Sequence, residues 1–123
     1  MAGLRGVLAM SAAAVDLNHL ARYTGGDVSL NAEILRLFDS QASELVQQLQ
    51  SIIDARDAKS WKMALHTLKG AARGIGAFTL GDAAAAAEPI DPASDSRTAT
   101  AAVRDLQTKA GAVQVFIKAY LGA

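Results

Sequence analysis

At 123 residues and 51% hydrophobic composition, the chain suits one domain with a real core, and no second domain is expected. Twelve Lys and Arg balance twelve Asp and Glu, so no global field favours nucleic acid or an anionic membrane, and the lack of cysteine excludes disulfides and thiol chemistry. No Gly-x-x-x-x-Gly-Lys-Ser/Thr phosphate loop is present, and no stretch approaches the ~20 apolar residues that cross a bilayer.

Residues 1–15 are small and apolar and read as a flexible leader, with a single helical domain over 16–123. Asp16 is suited to cap a short helix through about Tyr23, with Leu17, Leu20 and Ala21 on one side and His19, expected to be solvated, on the other. Asp16 and His19 make a single acidic-x-x-His unit, where bundle metal sites use paired units, so no metal is expected there. Thr24-Gly25-Gly26-Asp27 is a turn, after which Asp27 or Ser29 caps a helix to about Ala55 with the stripe Leu30, Ile34, Leu37, Phe38, Leu45, Leu49 and Ile52.

Arg56-Asp57 marks a tight reversal into a helix capped by Asp57 or Ser60 and ending near Gly74 or Gly76. A shorter alanine-rich helix runs from Thr79 to about Glu88. Pro89 and Pro92 punctuate the next turn, with Asp91 as cap and Pro92 at the first helical position of the last helix. There Ala99, Val103, Leu106, Ala110, Val113, Ile117 and Tyr120 alternate spacings of four and three without a miss. No strand pattern competes. The short connections make neighbours antiparallel, so the expected fold is all-α, an up-and-down antiparallel four-helix bundle with a short additional N-terminal helix.

The chemistry concentrates in Ala64-Leu65-His66-Thr67-Leu68-Lys69-Gly70-Ala71-Ala72-Arg73. With about 100° per residue, Trp61, Leu65, Leu68, Ala72 and Ile75 share one side of the helix, which must be the core side. His66 lies about 100° from Leu65 and faces water, with Lys62, Lys69, Gly70 and Arg73 around it. The cations disfavour a further positive charge on the ring and offer charge-assisted hydrogen bonds to phosphoryl oxygens. Gly70, one turn on, leaves the imidazole uncovered, because a helical side chain leans over the turn before it. Such a glycine costs a helix about 1 kcal/mol relative to alanine, a cost that points to access as its purpose. Gln47 and Gln48, on the polar face of the preceding helix, are both candidates to orient the imidazole.

His66, Leu68, Lys69, Gly70 and Gly76 fit the signature of the histidine-containing phosphotransfer (HPt) domains of bacterial multistep phosphorelays, and the chain resembles that family over about residues 16 to 88. The resemblance extends to Thr24-Gly25-Gly26-Asp27 with Leu30, Leu35 and Phe38, and to Ile75-Gly76-Ala77 with Leu80. It implies a phosphocarrier without its own kinase, accepting a phosphoryl group on His66 from a receiver-domain aspartate and passing it to, or returning it from, another response-regulator receiver. Lys69 would stabilise the phosphoryl, with Lys62 and Arg73 as auxiliaries. The implied partners are receiver domains and a hybrid or sensor histidine kinase. No cofactor is expected on this chain, since Mg²⁺ would come with the receiver, and neither nucleic acid nor membrane is expected as a partner. The implied protein is a cytoplasmic monomer. The alternative is a non-catalytic interaction module that binds or sequesters a receiver domain.

Overall fold

Each helix begins where a short acidic side chain can satisfy free backbone N–H groups, or where the chain has just turned sharply. The computed structural model describes residues 14–122. Among them every regular element is an α-helix: α1 Leu17–Thr24, α2 Val28–Asp54, α3 Ala58–Gly74, α4 Phe78–Ala87 and α5 Ser96–Gly122. Asp16, Asp27 and Asp57 cap α1, α2 and α3 through carboxylate oxygens that accept from His19, Leu30 and Ser60 N–H. The last helix departs from expectation. Asp91 accepts from Ala93 N–H and Ser94 Oγ in a separate turn, and Asp95 caps the helix by accepting from Thr98 N–H. Pro92 is fully buried in that turn instead of opening the helix.

Helices α2, α3, α4 and α5 form a closed ring of neighbours in chain order, with α2 also packed on α5, and the short α1 rests against α2. This is the four-helix bundle with an added N-terminal helix. Trp61, Leu65, Leu68 and Ala72 from α3 meet Leu80 and Ala84 from α4, Val103, Leu106 and Ile117 from α5, and Leu35 and Leu49 from α2 in one core. No helix among the described residues is long and apolar enough to cross a membrane.

The buried stripe of α2 is rotated from the expected one and shares only Phe38 and Leu49 with it. Asn31, Leu35, Phe38, Ala42, Val46, Leu49 and Ile53 are buried, whereas Leu30 and Leu37 are exposed and Ile34, Leu45 and Ile52 are half-covered. The helix carries apolar side chains over an arc wider than its neighbours can cover, and the true seam runs through the small Ala42 and the polar Asn31. Asn31 is admitted because it is satisfied: the Thr24 hydroxyl donates to its Oδ1 at 2.6 Å and its Nδ2 donates to Tyr120 Oη at 3.3 Å. That chain of bonds ties α1, α2 and α5 together.

The leader boundary also shifts. Ala14 and Val15 are buried, and Asp16 N–H donates to Gly76 O at 2.9 Å, which pins the start of α1 to the turn between α3 and α4. Residues 1–13 lie outside the described residues. His19 is not simply solvated: its ring stands edge-on to Phe78 at 5.0 Å and to Tyr23 at 5.8 Å. The Asp16 carboxylate, its possible co-ligand, is engaged with Asn18 and His19 N–H.

Candidate functional site

The face that α3 turns to solvent follows from the one it buries. Trp61, Leu65, Leu68 and Ala72 are fully buried, which leaves Lys62, His66, Gly70 and Arg73 on the outer side. The His66 side chain is 70% exposed. A Cβ added at Gly70 would meet nothing within 4 Å, so no packing demand requires a glycine there.

The second wall of the site is the C-terminal end of α4. The Trp61 indole N–H donates to Ala87 O at 3.0 Å, a buried bond that locks the last residue of α4 onto α3. The next residue is Glu88. Its Oε1 lies 3.3 Å from His66 Nδ1 and its Oε2 accepts from Lys69 Nζ at 2.8 Å, with the Glu88 side chain only 15% exposed. The hydrogen bond from Lys69 is the main cause that holds the Glu88 carboxyl below its ordinary value of 4.5, outweighing partial burial. Glu88 is therefore ionised at neutral pH and can only accept. The Nδ1 contact is a hydrogen bond when Nδ1 carries the proton, and in that tautomer the lone pair of the imidazole sits on Nε2.

Lys69 is paired with the same Glu88 carboxylate whose other oxygen faces the imidazole. Arg73 is turned away: it pairs with Asp82 at 3.3 Å, and its stem lies over Gly81, where an added Cβ would come within 2.8 Å of Arg73 Cγ. Lys62 is exposed and makes no ion pair among the described residues. With Lys59, Met63, Thr67, His66 and Glu88 it lines a hollow beside the imidazole. Met63, 61% exposed, gives that hollow an apolar wall.

Neither Gln47 nor Gln48 orients the ring. Gln47 lines a groove against α5 and Gln48 one near the start of α3, and the orienting partner is Glu88. Nothing local in the sequence marks Glu88, which follows an alanine run; it meets His66 only because α4 folds back along α3. Gly76 differs from Gly70 in kind. Its φ is +87°, and a Cβ there would come within 2.5 Å of the Asp16 carbonyl oxygen, so it serves the turn and the docking of α1.

An exposed imidazole whose Nε2 makes no hydrogen bond among the described residues, and whose Nδ1 faces a carboxylate that also holds a lysine, can accept a compact electrophile with anionic oxygens. No group of three or more metal-ligating side chains occurs among the described residues. The family model described as Hpt domain matches residues 33–115. No curated protein and no solved structure matches the chain.

Proposed function

The chain belongs to the Hpt domain family, whose role is histidine phosphotransfer in phosphorelays, and we propose that His66 is its phosphoryl acceptor, loaded from and discharged to aspartates of receiver domains. The observation that carries this reading is the exposed imidazole whose Nδ1 faces Glu88 while Nε2 is left for the phosphoryl. In transfer, the Nε2 lone pair attacks phosphorus as the donor carboxylate leaves. Lys69, beside the ring, moves its ammonium from Glu88 toward the phosphoryl oxygens and offsets their charge. Gly70 leaves room for the receiver's aspartate to approach in line. Mg²⁺ belongs to the receiver in this scheme, and the chain holds no cofactor of its own. It acts as a cytoplasmic monomer that passes phosphate between a hybrid or sensor kinase and a response regulator.

His66→Gln should abolish acid-labile labelling from a phosphorylated receiver domain while leaving the helical circular dichroism unchanged, because an exposed side chain contributes little to stability. Labelling retained in that variant would overturn the assignment. Binding without any transfer in the parent would instead favour an interaction module. Lys69→Ala should slow single-turnover transfer to a saturating receiver, by about tenfold for each 1.4 kcal/mol lost. Lys62→Ala and Arg73→Ala should do less, the second because Arg73 is held by Asp82.

A further inference from the structure

Of the large apolar side chains left exposed among the described residues, Met63 is the one that lines the hollow at the imidazole. It also borders a longer groove between α2 and α3, with Leu45, Ile52 and Ala64 on its apolar side, so its thioether stands where the two depressions meet. It precedes His66 by three residues, within one turn of α3. The chain has no cysteine, and its other methionines, Met1 and Met10, lie outside the described residues, which leaves Met63 as the only sulfur among the described ones. Trp61, the other readily oxidised side chain of α3, is fully buried. An oxidant reaching this face meets the thioether first.

A receiver that brings a phosphoryl group to Nε2 must cover the surroundings of the ring, because a standard interface takes about 800 Å² from each partner, far more than one imidazole offers. Met63, 61% exposed and within a turn of the ring, falls under that cover. Resting on the assignment of phosphotransfer to His66, we infer that Met63 is a site of reversible oxidation, whose sulfoxide weakens receiver docking while leaving the imidazole chemically competent. The oxidant is hydrogen peroxide. A sulfur lone pair attacks one peroxide oxygen, the S–O bond forms and the O–O bond breaks, and the sulfur gives up two electrons as the peroxide is reduced to water. The product exchanges a soft apolar contact for a strong hydrogen-bond acceptor. Burying that oxygen under a partner's surface without a donor is unfavourable, whereas in the free chain it stays in water. In reverse, a thiol-dependent sulfoxide reductase removes the oxygen as water while two thiols become a disulfide, and the apolar wall returns. Met63 takes no part in the core, so the bundle tolerates the added oxygen. On the helical wheel Met63 and Lys69 flank His66 on opposite sides, which leaves the Lys69–Glu88 pair in place when the sulfur is oxidised.

The test uses the whole chain, oxidised with hydrogen peroxide until peptide mass spectrometry finds one added oxygen on Met63, and a phosphorylated receiver domain that loads the parent. Single-turnover loading, followed against receiver concentration, should half-saturate at about tenfold higher concentration after oxidation, with the limiting rate and the helical circular dichroism unchanged. Phosphoramidate, a small-molecule P–N donor that needs no protein surface, should label oxidised and untreated chains at equal rates. Methionine sulfoxide reductases with dithiothreitol should return the half-saturating concentration to its starting value. Met63→Leu has no sulfur at this position but keeps Met1 and Met10, so it should give the same half-saturating concentration before and after peroxide. An unchanged half-saturating concentration in the oxidised parent would overturn the inference. So would an equal response to peroxide in Met63→Leu, or a loss of phosphoramidate labelling on oxidation. Failure of the underlying assignment looks different: phosphoramidate would then label His66→Gln as well as the parent, and the inference would fall with it.

Discussion

Gly70 and Gly76 belong to one short motif, yet they answer to different constraints. Gly70 sits inside α3 with open space where a side chain would begin, so Gly70→Ala should raise stability by about 0.5–1 kcal/mol through helix propensity while slowing phosphotransfer. Gly76 adopts a left-handed backbone hard against Asp16, so Gly76→Ala should cost at least about 1–2 kcal/mol from conformation alone, before the clash with the Asp16 carbonyl is added. Urea denaturation of the two variants should therefore move the midpoint in opposite directions. A destabilised Gly70→Ala would mean that position 70 meets a packing constraint absent from this structure. Gly70→Gln, long enough to cover the ring, should nearly stop transfer.

At the scale of the helix, α2 has apolar side chains on more of its circumference than its neighbours cover. Periodicity alone is satisfied by Leu30, Ile34 and Leu37 as well as by Leu35, Ala42 and Val46, because each set keeps to a narrow arc of the helix and the two arcs lie about 130° apart. The choice between them is made by α5 and α3 on either side and by the Thr24–Asn31–Tyr120 bonds at one end. Leu35 is completely buried and Leu37 is 67% exposed, so Leu35→Ala should cost roughly 2–5 kcal/mol and Leu37→Ala less than about 0.5 kcal/mol. Equal costs, measured by thermal or urea unfolding, would place the seam where periodicity first suggested. The start of α5 carries the same lesson. Asp91 and Asp95 are both competent caps, and burial of Pro92 in the preceding turn hands the role to Asp95.

For the molecule as a whole, acid sensitivity follows from where its carboxylates find partners. Asp57 is held below its ordinary 3.8 chiefly by hydrogen bonds from Ser60, Asp95 by hydrogen bonds from Thr98, and Glu88 is held below 4.5 chiefly by Lys69. In each case the folded state binds its proton less readily than the unfolded chain, so stability rises with pH through the titration. The contribution is complete above the ordinary values of 3.8 and 4.5 and is lost as pH falls through the lower folded ones. The urea midpoint should hold steady from pH 7 to about 5 and decline below that. Replacing Asp57 and Asp95 together by Asn keeps an acceptor at each cap and removes two of these titrations, so the decline should become shallower. A midpoint that rose on acidification would contradict the assignment of these bonds.

Much of this was legible in the residues themselves. The all-α class, the five helices, the core face of α3 and the exposure of His66 follow from periodicity and capping, which are local and act within one or two turns. The relative placement of His66, Lys69 and Gly70 was legible because they occupy one helix, where geometry alone sets it. The phase of α2, the cap of α5, the pairing of Arg73 with Asp82 and above all the arrival of Glu88 at the imidazole were decided only by tertiary structure. Glu88 lies 22 residues beyond His66 in the chain, and its position depends on the left-handed turn at Gly76 and on the Trp61 bond that sets how α4 returns along α3. Helical periodicity fixes which side of a helix meets its neighbours but not which residue of a neighbour lies opposite, and it is that register which brings a carboxylate to the histidine.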